Sequence, residues 1–120
     1  MKYFEKANDL YNKKQYEHAI NFYKKSIETK ENEAASLYNT AVCFIKLKEF
    51  DKAIINLHNA LNIKKESSYF FNLGYCYAMI NEKNKALNYF NIAWSLNPKD
   101  TECEKAINLI LKSYLHKASS

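Results

Sequence analysis

The chain contains no arginine, a single glycine and a single proline among its 120 residues. Its 18 basic residues are therefore all lysines, which excludes the bidentate recognition of phosphate or carboxylate that a guanidinium group provides. One glycine cannot build a glycine-rich loop that cradles phosphates. No long linker or low-complexity segment interrupts the chain, and its length predicts one domain.

The number of cysteines and the lack of a long apolar run also exclude several classes of protein. Cys43, Cys76 and Cys103 are an odd number and do not suggest a disulfide framework. We expect buried, unpaired thiols, which indicate a reducing compartment and predict a cytoplasmic protein. No stretch approaches the roughly 20 apolar residues of a membrane span. A signal peptide is not expected either, because the first residues already follow the repeated pattern described below.

Groups for catalysis are scattered along the sequence. His18, His58 and His116 fall in different predicted helices, without metal-ligand spacing to one another or to the cysteines. The pair at 67–68, both serines, lacks the context of a nucleophile elbow. We therefore predict that the protein is not an enzyme and has no metal or cofactor.

What the sequence does contain is one pattern written three times. Small residues recur at Ala7, Ala41 and Gly74, and again at Ala19, Ala53 and Ala86. The spacing is 34 residues between the first two copies and 33 between the last two. We place the missing residue in the turn around 64–68, because turns tolerate such a change better than packed helices do. Repetition at this period is typical of a stacked-repeat protein.

The third copy resembles the tetratricopeptide repeat (TPR), with its pattern W-x2-L-G-x2-Y, A-x3-F and P. The matching residues are Phe70, Leu73, Gly74, Tyr77, Ala86, Phe90, Ala93 and Pro98. The resemblance covers about residues 1–98, as repeats 1–33, 34–66 and 67–98, followed by a capping helix and short tail at 99–120. It implies an all-α, right-handed α-solenoid of three antiparallel helix hairpins with a C-terminal capping helix.

Helical periodicity predicts seven helices, at about 2–13, 16–30, 34–47, 50–63, 68–80, 83–96 and 101–116. Lys6 replaces an expected leucine in the first helix, which suits a terminal repeat that no other repeat covers. Thr101-x-x-Glu104 has the form of a capping box at the start of the last helix. In that helix, Leu109 and Leu115 fall on the exposed side.

The TPR resemblance also implies an inner groove lined by the first helix of each hairpin. The candidate peptide-binding residues are Phe4, Asn8, Tyr11, Asn12, Tyr38, Asn39, Val42, Lys46, Phe71, Asn72, Tyr75 and Met79. Apart from the lysine, this face is uncharged and consists of aromatic rings and amides. Asparagine can both donate to and accept from a peptide backbone, and Asn39 and Asn72 form a short ladder at equivalent positions. We therefore predict a protein-interaction module that binds an extended peptide or a partner helix.

Some TPR proteins hold acidic chaperone tails with a clamp of asparagines and basic residues. Asn8 and Asn39 match the clamp asparagines, but Phe4, Ser68 and Asn72 stand at its basic positions. We therefore expect no tight binding of such tails.

Three alternatives remain open. The groove or the Leu109/Leu115 face could mediate homodimerisation. The net charge of +5 could serve nucleic acid, although most lysines fall away from the aromatic face. The chain could also be the recognition domain of a longer protein.

Overall fold

The computed structural model describes residues 2–119, with side chains as far as residue 115. In this part of the chain all regular structure is helical, so the all-α prediction is confirmed. The helices are α1 (Tyr3–Asn12), α2 (Tyr16–Glu28), α3 (Glu33–Lys46), α4 (Phe50–Ile63), α5 (Ser67–Met79), α6 (Lys83–Leu96) and α7 (Thr101–Ser119). Each predicted helix is present within one turn of its expected ends. The connection after α4 is one residue shorter than the one after α2, which confirms where the repeat loses a residue.

The chain divides between Lys65 and Glu66 into two compact units. The first unit contains α1–α4, and its core includes the fully buried Ala7 and Ala19. These small residues let the two helices of a hairpin approach closely. Lys6 is exposed and its ammonium lies 6.0 Å from the centre of the Phe22 ring, so the polar residue expected at this end lies at the surface.

The second unit contains α5–α7 and is built around Phe90, with Ala86 and Ile110 in the same core cluster. Gly74 of α5 lies directly against the Phe90 ring of α6. α7 covers α6 through buried Cys103 and Ile110, whereas Leu109 and Leu115 are 68% and 70% exposed. The exposure predicted for these two leucines is therefore confirmed.

The cap of α7 is not the predicted one. The backbone N–H of Glu102 donates to Oδ1 of Asp100 at 2.9 Å, so Asp100 caps the helix one residue before Thr101. A carboxylate at the start of a helix combines this hydrogen bond with a favourable interaction with the helix dipole. The expected capping box at 101–104 is therefore wrong.

All three cysteine side chains are fully buried and free, which confirms the expected unpaired thiols. No helix in the described residues is long and apolar enough to cross a membrane.

The turn inside each hairpin repeats one backbone geometry. Lys14, Lys48 and Asn81 have positive φ angles of 61°, 61° and 66°. The N–H three residues beyond the end of each first helix then donates back to a carbonyl of that helix, as in Glu49 N–H to the carbonyl of Phe44 at 2.8 Å. Glycine is the usual residue at such a left-handed position, because it lacks the Cβ that makes this conformation costly.

We expect Lys48→Gly to raise the free energy of unfolding by about 0.5–1 kcal/mol, because it relieves the left-handed strain. Lys24→Gly is the matched control: this exposed lysine lies inside α2, where glycine costs about 1 kcal/mol. Urea unfolding monitored by circular dichroism measures both changes. Equal destabilisation by the two variants would contradict this interpretation of the turn.

A hydrogen-bonded connection between α2 and α3 also fixes the start of α1. The buried Ser26 hydroxyl donates to the carbonyl of Glu31 at 2.6 Å and lies 2.8 Å from the Ser36 hydroxyl. The Glu31 carboxylate in turn accepts the backbone N–H of Phe4 at 3.2 Å. The loop that joins two hairpins therefore holds the first turn of α1, the helix that carries Asn8 and Tyr11.

Candidate functional site

An open cleft of about 390 Å³ lies in the first unit, between residues of α1 and α3. Its lining residues are Asn8, Tyr11, Asn12, Tyr23, Tyr38, Asn39 and Val42. Six of these seven belong to the inner face predicted from the sequence. The cleft has no charged lining residue, so amides, phenol groups and one aliphatic side chain determine what it can bind.

A hydrogen-bonded group forms the polar part of this cleft. Tyr23 of α2 is only 1% exposed, and its hydroxyl donates to Oδ1 of Asn8 at 2.5 Å. Nδ2 of Asn39 donates to the same oxygen at 3.4 Å. Burial raises the pKa of Tyr23 well above its ordinary value, while a side-chain hydrogen bond from Asn39 opposes that rise. The two asparagines, from α1 and α3, are thus hydrogen-bonded to each other, and the buried tyrosine donates to the oxygen that they share.

Tyr11 lies beside this group. It is half-buried, and its ring meets the Tyr16 ring edge-on with centroids 5.5 Å apart. Burial raises the pKa of Tyr11, and the positive charge of Lys46 acts in the opposite direction. Exposed Lys46 is therefore close enough to influence the cleft although it does not line it.

Phe4 lies apart from the cleft. Its ring packs against the Tyr23 ring, with the two ring centroids 6.0 Å apart. Phe4 also lines a separate depression of about 380 Å³ with Lys2, Glu5, Glu31 and Asn32.

The predicted residues of the second unit have different surroundings. Phe71 is half-buried and packs against Phe90, with ring centroids 5.2 Å apart. Nδ2 of Asn72 donates to the carbonyl of Ser68, one turn earlier in α5, at 3.0 Å. Tyr75 and Met79 are exposed. Phe71 is therefore part of the packing of this unit, and its removal would perturb the fold as well as the surface.

Tyr23 is the site residue that the sequence did not reveal. It occupies the repeat position of Leu57 and Phe90, and periodicity assigns all three to the core. The available signal was chemical: a hydroxyl at a buried position requires a hydrogen-bond partner. Asn8 and Asn39 supply that partner, which connects a packing position to the predicted inner face.

The lysines of the second and third hairpins form a repeated surface arrangement. The Lys52 ammonium lies 5.7 Å from the centre of the Phe44 ring and 3.1 Å from a Glu49 oxygen. Lys85 makes the equivalent approaches to Tyr77 at 5.4 Å and to Glu82 at 3.7 Å. Each of these two charges is therefore paired with an acid and lies near an aromatic ring.

The part of the chain that the structure describes contains no candidate metal site. No group of three His, Cys, Asp or Glu residues there could hold a metal ion. The side chain of His116 lies outside the described residues.

Two family models match successive parts of the chain. The model described as "Anaphase-promoting complex, cyclosome, subunit 3" matches residues 2–60. The model described as "Tetratricopeptide repeat" matches residues 68–100.

The chain is also similar to curated proteins. It is 28% identical over 104 residues to BBSome complex member BBS4 of Bos taurus, a match that covers 87% of this chain and 20% of that protein. It is 32% identical over 93 residues to anaphase-promoting complex subunit 3 of Schizosaccharomyces pombe, covering 77% of this chain and 14% of that protein. The chain therefore spans a fifth or less of the length of these relatives.

Among solved structures, the chain is similar to YrrB, described as a TPR protein with an unusual peptide-binding site. The two are 25% identical with a TM-score of 0.83, and the match covers 93% of this chain and 58% of the other. The similarity includes the cleft-bearing helices as well as those of the second unit.

Proposed function

Because the chain belongs to the tetratricopeptide-repeat family, we propose that it is a non-catalytic interaction module whose α1–α3 cleft binds an extended segment of a partner protein. The family is one of scaffold and adaptor domains, and two proteins to which this chain is similar are named as members of complexes. YrrB, which has a similar fold, is described as having a peptide-binding site, and this supports a peptide as the ligand.

The observation that carries the proposal is the composition of the cleft. Asn8 and Asn39 bring amide groups to an uncharged, half-buried surface, next to the rings of Tyr11 and Tyr38. Amides can pair with the backbone of any peptide, whereas aromatic rings supply contact area and interface hot spots. The cleft is therefore suited to a peptide that presents its backbone to the amides and apolar side chains to the rings.

A library of random dodecapeptides displayed on phage tests this proposal. We expect panning on the immobilised chain to enrich binders whose affinity falls at least about tenfold in Tyr38→Ala, because a hot-spot aromatic contributes 2 kcal/mol or more. Asn21→Ala is the control, since this exposed residue of α2 lies outside the cleft. Binders that are indifferent to Tyr38→Ala would contradict the cleft as the site.

Acidic chaperone tails are not the proposed ligand. The lining of the cleft contains no cation, and Lys46, whose charge acts on Tyr11, does not line it. A doubly charged tail would lose the charge-assisted hydrogen bonds that make such contacts strong. Micromolar binding of an acidic C-terminal heptapeptide in a calorimetric titration would overturn this choice.

Self-association is the second candidate. The specific observation is the exposure of Leu109 and Leu115 on α7, because large exposed apolar side chains are candidates for burial in an interface. Light scattering at several concentrations distinguishes the two proposals, and a mass that stays monomeric removes this one.

A further inference from the structure

Tyr23 makes the first hairpin chemically different from the other two. The equivalent buried positions hold Leu57 and Phe90, neither of which has a polar atom in its side chain. A buried hydroxyl is costly unless it is hydrogen-bonded, by about 1–3 kcal/mol. Tyr23 satisfies this need by donating to Oδ1 of Asn8. The orientation of the Asn8 amide is therefore fixed from inside the protein.

The same contact fixes Asn39. Its Nδ2 donates to Oδ1 of Asn8, the oxygen that also accepts from the Tyr23 hydroxyl, so the nitrogen of this amide faces that shared oxygen. The other polar atom of each amide is Nδ2 of Asn8, a donor, and Oδ1 of Asn39, an acceptor. Neither makes a hydrogen bond to the residues that the structure describes. Both residues line the cleft. The free protein thus presents one donor and one acceptor on neighbouring helices, with their order determined by Tyr23.

This arrangement matches the polar groups of one extended residue. In an extended chain, the N–H and C=O of a single residue point to the same side, as they do when two strands exchange a pair of hydrogen bonds. Proline lacks the N–H and could satisfy only half of such a site.

We propose that Tyr23 is a positioning residue, which sets Asn8 to donate to the C=O and Asn39 to accept the N–H of one extended, non-proline residue of the bound peptide. This inference rests on the proposed peptide-binding function. The ligand class is therefore an extended peptide that is recognised through its backbone. The order of the donor and the acceptor also sets the direction in which the bound peptide runs. Pre-organised amides also lose less orientational freedom when the peptide binds, which favours affinity.

The test uses the dodecapeptide selected by phage display and a set of derivatives, each methylated on one backbone nitrogen. Methylation removes one N–H at a time. In the wild-type protein we expect a single internal position at which methylation lowers affinity by about tenfold, the effect of losing one buried hydrogen bond with its partner left unpaired. Proline at that same position should have a similar effect.

Variants then assign the sensitive position to the proposed residues. Asn39→Ala should bind the parent peptide about tenfold more weakly and should no longer distinguish it from the methylated derivative. Tyr23→Phe keeps the ring that Phe90 shows to be compatible with this repeat position. It should reduce the methylation penalty to about threefold or less, because the amides are no longer held in one orientation. Tyr77→Phe in the second unit is the matched control and should keep the full penalty.

The outcomes separate this inference from the proposed function. A peptide that binds in the cleft, but shows no methyl-sensitive position or the same penalty in Tyr23→Phe as in the wild type, overturns the inference and leaves the function standing. A library that yields no binder overturns both. Circular dichroism of each variant confirms that the helical content is retained, and Asn39→Ala provides a second route should Tyr23→Phe fold poorly.

Discussion

Raising the pH from about 9 to about 11 is expected to destabilise the folded protein by several kcal/mol, with the largest single contributions from two buried thiols. Burial raises the pKa of Cys43 and of Cys76 from the ordinary 9.0 to about 12. In the unfolded chain these thiols ionise near pH 9, whereas in the folded protein they stay protonated until about pH 12. The unfolded state therefore binds fewer protons in this window, and stability falls as the pH rises.

Between about pH 9 and 12 each thiol lowers the stability by at most about 1.4 kcal/mol per pH unit, whereas below pH 9 none of this stability is lost. Urea unfolding at a series of pH values, with reductant present, measures the slope. The Cys43→Ala/Cys76→Ala variant is the control, since it removes both of these groups but keeps Cys103 and Tyr23, whose pKa values burial also raises. The same pH slope in the variant and the wild type would show that the thiols are not responsible.

Replacing Gly74 by alanine is expected to lower the free energy of unfolding by about 1–3 kcal/mol, the usual cost of overpacking a core. In an open helix the same change would stabilise by about 1 kcal/mol, because alanine is the better helix former. Here a Cβ at Gly74 would lie 2.6 Å from Cδ1 and 2.7 Å from Cε1 of Phe90. The two expectations have opposite signs, so the sign of the measured change is decisive.

A double-mutant cycle identifies the cause. In the second hairpin the equivalent positions hold Ala41 and Leu57, both fully buried. Gly74→Ala combined with Phe90→Leu transfers that pair to the third hairpin, and the two changes together should cost about 1 kcal/mol less than the sum of the single changes. Additive costs would mean that the clash with Phe90 does not explain the effect of the alanine.

The helices could be predicted from the sequence because their signal is periodic and repeated. Ala7, Ala41 and Gly74 recur at almost constant spacing, and this identifies which side of each first helix is buried. The start of α7 at Thr101 was predicted correctly, but its cap was misassigned because Asp100 and Thr101 are both good capping residues. Only the geometry shows that the Asp100 carboxylate accepts the N–H of Glu102.

The site was less predictable because periodicity describes faces and not individual contacts. It places Asn8 and Asn39 on the inner face, where the structure brings them together in one cleft. It does not show that Tyr23 reaches them from the core of the hairpin. For Phe71 the difference runs the other way, because the pattern predicts that it lines the groove whereas in the structure it packs against Phe90. Such differences depend on the side chain at the neighbouring position, which no repeat pattern specifies.

The most direct test of peptide binding in the cleft is a nuclear magnetic resonance titration of the ¹⁵N-labelled protein with the display-selected dodecapeptide. The side-chain amide signals of Asn8 and Asn39 report on the cleft itself, and backbone signals report on every helix. We expect the largest shifts at these two amides and along α1 and α3, with small changes on α4 and α6. Shifts confined to α7, or to α4 and α6, would contradict a binding site in the cleft.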